Sequence, residues 1–206
     1  MRRTKEDAEQ TRQDILNAAT QMFCNKGVSK TTLEDIARTA NVTRGAIYWH
    51  FSNKKQIFDT LFENLHQPLL EIILDDLEKD HPNPLDQLKQ LCIKLLQDLE
   101  IDIQKQQAIK LFLIKCDYSG DLEEFKDKHA QQKIEKQKAF CRYFEKAQKK
   151  GTLPANADPK LLTLSINCYM KGIAHEYLEN PNRFKMKKDA HRLMQIFFQG
   201  LGNNND

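Results

Sequence analysis

Residues 31–55 read TTLEDIARTANVTRGAIYWHFSNKK, and their spacing describes two short helices joined by a sharp turn. Thr31 and Glu34 have capping-box spacing, which opens a first helix running to about Thr39 with Ile36, Ala37 and Ala40 facing inward. Ala40-Asn41-Val42-Thr43 is the turn. Its sharpest point needs a residue that tolerates positive φ, and asparagine is second only to glycine there. Ala37 supplies the small residue where two helices cross, and Val42 and Ile47 supply apolar locks for the angle. Thr43 can cap the second helix, which runs to about Phe51. The pattern is that of a helix-turn-helix; the competing reading is an ordinary helical hairpin with solvated polar residues.

If the second helix enters a major groove, its N-terminal residues lead. Thr43 can donate to a phosphate or touch a thymine methyl, and Arg44 can reach a guanine edge or a phosphate. Gly45 lets the backbone approach closely, Tyr48 offers a ring with a donor hydroxyl, and His50 can bond phosphate. Trp49 is open between contact and packing. Lys54 stands at the start of the next helix, capped by Ser52 or Asn53, where ammonium and helix dipole together can hold a phosphate.

Charge is distributed in keeping with that reading. The 206-residue chain carries a net +3, but residues 1–55 hold ten Lys/Arg against six Asp/Glu, leaving the remainder near neutral. With 40% apolar and 30% charged residues the composition is that of a globular protein with a real core. The longest large apolar run, Leu111-Phe112-Leu113-Ile114, is far too short for a membrane span, and the basic start is followed by acidic and polar residues unlike a secretory signal. Five scattered cysteines without a C-x-x-C pair fit buried reduced thiols in a cytoplasmic protein. Six histidines form no metal-ligand spacing, and no catalytic constellation or glycine-rich phosphate loop is present, so neither an enzyme nor a metal or cofactor site is expected.

The remaining chain reads as helices throughout. A first helix spans about Glu6–Lys26, with Ile15, Ala18, Ala19, Met22 and Phe23 as its stripe and Gly27 as a left-handed cap. A fourth spans about Asn53–Lys79, interrupted by Pro68, which predicts a kink that is either a hinge or static. His81-Pro82-Asn83-Pro84 is a break, followed by helices over about Leu85–Ile101, Lys105–Tyr118 and Asp121–Lys150, the last burying Ile134, Phe140, Cys141 and Phe144. Lys160–Leu178 is apolar around nearly its whole circumference, and Lys187–Leu201 carries one apolar face. Two such helices per protomer would form an isologous four-helix interface, unless both stripes close the chain's own core. Gly202–Asp206 reads as a tail.

Thr31-Thr32, Ile36-Ala37, Val42-Thr43, Arg44-Gly45, Tyr48, His50-Phe51 and Lys54 resemble the signature of the TetR family of bacterial transcriptional repressors. TRGAIYWHF, RRTKEDAEQTRQDILNAA near the start and LIKCDYSGDL near residue 116 are similar to its AcrR-like branch, whose members repress multidrug efflux pumps. The resemblance implies an all-α homodimer of about nine-helix protomers, a double-stranded palindromic DNA operator and a small-molecule induction pocket. It adds Thr31 and Thr32 to the DNA-contact candidates Thr43, Arg44, Gly45, Tyr48, Trp49, His50 and Lys54. Carried over by position, the pocket implies Phe62, Leu65, His66 and Leu69, then Cys92, Leu95 and Leu96. It further implies Ile109, Leu113 and Phe140, then Asn167, Met170, Lys171 and His175. Ordinary core packing is the competing reading for each of these residues. Some relatives place polar side chains near positions 109 and 113, so here His66, Asn167, Lys171 and His175 are left as the candidate anchors.

The expected architecture is therefore a three-helix helix-turn-helix DNA-binding domain over 1–55 and a larger helical ligand-binding and dimerisation domain over 56–206. The expected function is a dimeric, ligand-released repressor of a multidrug efflux system, pairing through the last two helices and not associating with membrane. A repressor of a metabolic or signalling operon on the same fold is the alternative. A helical enzyme or lipid carrier is the reading from another class.

Overall fold

The computed structural model describes residues 4–202, the side chain of Gly202 excepted; of the tail expected over 202–206, Gly202 ends the last helix instead and 203–206 lie outside the described residues. Among the described residues there is no strand, and nine α-helices follow in order: α1 Lys5–Lys26, α2 Leu33–Thr39, α3 Arg44–His50, α4 Lys54–Glu78, α5 Pro84–Ile101, α6 Ile103–Lys110, α7 Lys126–Lys149, α8 Pro159–Glu179 and α9 Met186–Gly202. No helix is long and apolar enough to cross a membrane among the described residues.

Local chemistry sets the helix ends. Thr4 caps α1 in a reciprocal box with Asp7, and Gly27 closes it at φ 80° with its N–H on the Phe23 carbonyl. Asn83 caps α5, with Pro84 at the first helical position where a missing N–H costs nothing. Gly151 ends α7 at φ 71°. Helix α4 runs unbroken through Pro68, so the proline's lost hydrogen bond does not terminate it.

Two expectations change in the middle of the chain. The helix expected over Lys105–Tyr118 begins at Ile103, and after Lys110 it widens into a π-helical turn, Leu111–Lys115. A 3-10 turn, Gly120–Phe125, then precedes α7. Ile134, expected in the core, is 43% exposed, whereas Phe140, Tyr143, Phe144 and Ala147 are the buried stripe of α7.

Packing divides the chain into two compact units. One comprises the described residues through Leu65 together with Gln107–His129; the other comprises His66–Gln106 and the described residues from Ala130 onward. The first unit has a core of Ile15, Ala19, Phe23, Ile36, Ala37, Ile47, Phe51, Ile57, Phe58 and Leu61, joined by Leu111 and Leu122 from the returning segment. There Phe62 stacks on the buried His129 ring at 3.5 Å, and Phe112 meets Phe58 and Phe62, each at 5.2 Å. The His129 ring lies between Tyr118 Oη at 2.8 Å and Asp59 Oδ1 at 3.0 Å, so every polar edge of this buried imidazole has a partner.

The second unit is centred on α5 and α9. Leu88, Leu91, Cys92, Ile93, Leu96 and Leu99 of α5 are buried, as are Met186, Ala190 and Met194 of α9. Tyr143 is fully buried; its hydroxyl donates to Asp76 Oδ2 at 2.8 Å, and burial above all raises its pKa. The two C-terminal helices do not bury all their apolar residues within the chain. Leu161 and Leu164 on α8 and Ile196 on α9 stay more than half exposed.

Candidate nucleic-acid interface

The angle between α2 and α3 follows from one residue. Asn41 has φ 53°, the only positive φ at a non-glycine position among the described residues. That left-handed step lets the Val42 N–H reach the Ala37 carbonyl at 2.9 Å and the Asn41 N–H reach Arg38 at 3.2 Å. This pair of bonds is the Schellman closure, here made with asparagine in the place glycine usually takes. Val42 then leads to Thr43, whose Oγ accepts the Ala46 N–H at 3.1 Å and starts α3. Ile47 is fully buried and seats α3 on the core, which turns the remaining faces of the helix outward.

Those outward residues carry the candidate chemistry. Tyr48 is 49% exposed and Trp49 71%, a heavy outlay of aromatic surface for a seven-residue helix. Arg44 is exposed; its guanidinium donates to Tyr48 Oη at 3.0 Å and lies over the same ring at 5.4 Å, which pre-orders both side chains and keeps the cation charged. The His50 ring stands edge-on to Trp49 at 4.5 Å. A Cβ at Gly45 would meet nothing nearer than Thr43 Oγ at 3.8 Å, so the chain's own packing does not require glycine there. Its missing side chain leaves open space on the exposed face instead. Exposure resolves the open question at Trp49 against packing within the chain.

The N-terminus of α2 differs from expectation. The cap is Thr32, one residue later than expected, in a reciprocal box with Asp35 rather than Thr31 with Glu34. The Asp35 N–H donates to Thr32 Oγ and the Thr32 N–H to Asp35 Oδ2, both at 3.1 Å. Asp35 also accepts from Lys26 at 3.0 Å and Arg38 at 3.1 Å; the Lys26 bond first, then Thr32, hold its pKa down at about 2. Thr31 is 1% exposed, with its hydroxyl donating to Gly27 at 2.8 Å and Met22 at 3.3 Å. Its side chain is thus a buried tie to the end of α1, which weighs against the DNA contact expected at Thr31.

Lys54 is drawn inward as well. Its Nζ donates to the Ser29 carbonyl at 3.0 Å and to Thr31 at 2.9 Å, and desolvation lowers its pKa. Two of three ammonium donors are therefore committed to the loop before α2. Asn53 caps α4, accepting the Gln56 N–H at 2.9 Å. Ion pairs with residues distant in the chain, which no local pattern signals, steady this end of α4: Lys55 with Glu124 at 2.7 Å, and Lys128 with Asp59 at 2.6 Å and Glu63 at 2.7 Å.

The candidate ligand residues fall in both compact units. Phe62, Leu65, Ile109 and Leu113 belong to the first, where Phe62 is fully buried against His129 and Leu113 lies in the π-helical turn. His66, Leu69, Cys92, Leu95, Leu96, Phe140, Asn167, Met170, Lys171 and His175 belong to the second. Of these, Cys92, Leu96 and Phe140 are buried, and burial pushes the Cys92 thiol up to about 12. The Asn167 amide donates to its own helix at Thr163, 2.8 Å away. His175 lies 3.8 Å from Glu179, Lys171 is exposed, and Leu69, Leu95 and Met170 are partly buried. His66 Nδ1 lies 3.2 Å from Lys136 Nζ. A separate open groove of about 940 Å³ lies along α8 and α9, lined by Cys168, Tyr169, Ile173, Leu193, Ile196 and Phe197 among others.

Comparison with known proteins gives this arrangement its relatives. Residues 15–61 match the family described as bacterial regulatory proteins, tetR family, and residues 83–202 match the MAATS-type transcriptional repressor C-terminal region. The HTH-type transcriptional regulator TtgR of Pseudomonas putida is 30% identical over 93% of this chain and 91% of its own length. The crystal structure of NalD, the secondary repressor of the MexAB-OprM multidrug efflux pump in Pseudomonas aeruginosa, is 30% identical, covers 97% of this chain and 100% of its own, and superposes with a TM-score of 0.81. The complex of triclosan with SmeT, which represses a multidrug efflux pump of Stenotrophomonas maltophilia, shares the fold at a TM-score of 0.81 and 24% identity, covering 95% of this chain and 93% of its own. A Schellman turn on asparagine, an exposed aromatic and basic α3, and both halves of the family pattern converge: the chain belongs to the TetR family of bacterial transcriptional regulators.

Proposed function

We propose that this regulator is a dimeric repressor that binds a palindromic operator, controls a multidrug efflux system, and is released by apolar or amphiphilic small molecules. The observation that carries the reading is α3. Arg44, Tyr48 and Trp49 are exposed, Arg44 and Tyr48 order one another, and all are presented on the helix that carries the bare backbone of Gly45 and whose angle Asn41 sets. Thr43, His50 and the third donor of Lys54 supply phosphate contacts, and Thr32, exposed at the start of α2, lies with them as a further candidate. The likeness over nearly the whole chain to NalD, a repressor of a multidrug efflux pump, supports efflux control.

The apolar residues left bare on α8 and α9 support pairing through the last two helices. In this reading residues 1–55 read DNA, and residues 56–206 bind ligand and pair the chains in the cytoplasm. The proposed ligand residues of the second unit then bind an inducer that favours a dimer with wrongly spaced readers, shifting the equilibrium only by its differential affinity. The triclosan-bound relative supports a small apolar occupant.

Selection of bound fragments from a random DNA pool tests the reading. The expected product is an inverted repeat whose affinity falls steeply with salt and drops when Tyr48 is replaced by alanine. Recovery of no sequence preference would overturn it.

A further inference from the structure

The second unit contains a group of positive side chains that neither core packing nor operator binding accounts for. On α7, Lys136 is partly buried, and the neighbour of its Nζ is a ring nitrogen, His66 Nδ1 on α4, at 3.2 Å. Among the described residues no carboxylate lies within ion-pair distance of this amine. Instead Lys133, on the same helix, and Lys171, on α8, add positive charge around it. One turn before Lys136, the Gln132 side-chain carbonyl is buried with no hydrogen-bond partner among the described residues. Apolar residues continue both helix faces: Leu69 lies one turn beyond His66 and the buried Phe140 one turn beyond Lys136.

A partly buried ammonium surrounded by other cations is unfavourable unless an anion joins it. Burial first, then Lys171 and Lys133, hold the Lys136 pKa at about 8, well below the usual lysine range. Surface lysines that are merely solvated do not behave this way.

We propose that Lys136, with His66 and Lys171, accepts the carboxylate head of an amphiphilic ligand whose apolar tail lies along Leu69 and Phe140. The Gln132 carbonyl receives a hydroxyl or amide N–H on the same ligand where one is present. The inference names the ligand class of the proposed effector-binding unit and rests on that reading for its consequence in repression, though not for binding itself. It narrows the proposed inducer from apolar or amphiphilic small molecules to anionic amphiphiles.

Calorimetric titration of the full-length protein with decanoate, decanol and decyltrimethylammonium at pH 7 tests it. Decanoate is expected to bind roughly 10-fold or more tightly than decanol, with the cation weakest, as a charged hydrogen bond would give. Lys136→Met should bring decanoate down to the level of decanol without changing decanol itself, which also shows that the variant is folded; Lys136→Arg should keep the preference. The preference for decanoate should be present below pH 8 and fade as pH rises through it, as Lys136 loses its proton; the charged and titratable groups around it are Lys133 on its own helix, Lys171 on α8 and His66 on α4. Equal affinity for decanoate and decanol in the wild type, or an undiminished preference in Lys136→Met, would overturn the proposal. If the preference behaves as expected and decanoate leaves a bound operator in place, the anion site stands and the effector reading of it falls.

Discussion

Ile196→Glu isolates the proposed pairing of α8 and α9. Ile196 is 66% exposed in the single chain, and complete burial of such a side chain stabilises by about 1.5–3 kcal/mol, so the part still available to a partner is about 1–2 kcal/mol. A two-fold interface uses the residue twice, giving about 2–4 kcal/mol per dimer before the cost of enclosing two carboxylates is added. Self-association should therefore weaken by roughly 30- to 1,000-fold or more. Sedimentation equilibrium across a concentration series measures the dissociation constant, and far-ultraviolet circular dichroism checks that the protomer keeps its helices. Because Ile196 makes little contact within its own chain, the thermal midpoint of the isolated protomer should barely move. An unchanged dissociation constant would refute the placement of the interface; a protomer that unfolds would refute the reading of Ile196 as a surface residue. Operator affinity should fall with self-association, since one α3 reads a half-site.

Other perturbations separate the shaping residues of the reader from its contacts. Asn41→Val forces a β-branched residue to φ 53°, costing about 1–2 kcal/mol in urea unfolding, whereas Asn41→Gly should be within a few tenths of wild type. Thr31→Val removes a hydroxyl bonded to two carbonyls and should cost about 1 kcal/mol of stability; a variant of undiminished stability but much weaker operator binding would restore Thr31 as a contact. Gly45→Ala should leave unfolding unchanged, apart from a small gain in helix propensity, while reducing operator affinity, because space for a methyl exists in the chain and closes only against DNA. Asp35 is held at a pKa of about 2 against an ordinary 3.8, so its contribution to the α2 cap is complete above the ordinary value and disappears as pH falls through about 2; Asp35→Asn should remove that acid sensitivity in a helicity titration.

How much of this was legible beforehand depended on how local the physics is. Asn41 could be read because a left-handed residue is a requirement of the turn itself, satisfied within five residues. The cap of α2 was misplaced by one because Thr31-Thr32 and Glu34-Asp35 satisfy the same spacing twice; what decides between them is that the Thr31 hydroxyl is taken by backbone of α1 and the following loop. The π-helical turn at Leu111–Lys115 left no mark in the hydrophobic period, which reads there as an ordinary buried helix. Ile134 looked like core because its period fits, yet its face of α7 is uncovered in the chain. Exposure of Tyr48 follows from the position of α3 in the motif, whereas that of Trp49 stays open in the sequence, and the inward turn of Lys54 depends on two carbonyls more than 20 residues away. The ligand candidates came from resemblance alone, and Lys136 was not among them because a lysine in a charged helix looks solvated until its surroundings are known.

The return of Gln107–His129 to the first compact unit limits how this reader can be exchanged between proteins. A polypeptide that stops anywhere between residues 66 and 106 includes α1, α2 and α3 but omits Phe112, Phe125 and His129, the rings that cover Phe58 and Phe62. It would also leave Asp59 without His129 and Lys128. A single crossover in the gene after the helix-turn-helix would therefore join a reader to a body that lacks its missing wall. On the proposed reading, specificity is most easily exchanged by point substitution on α3, where Arg44, Tyr48 and Trp49 project from the fold and little else depends on them.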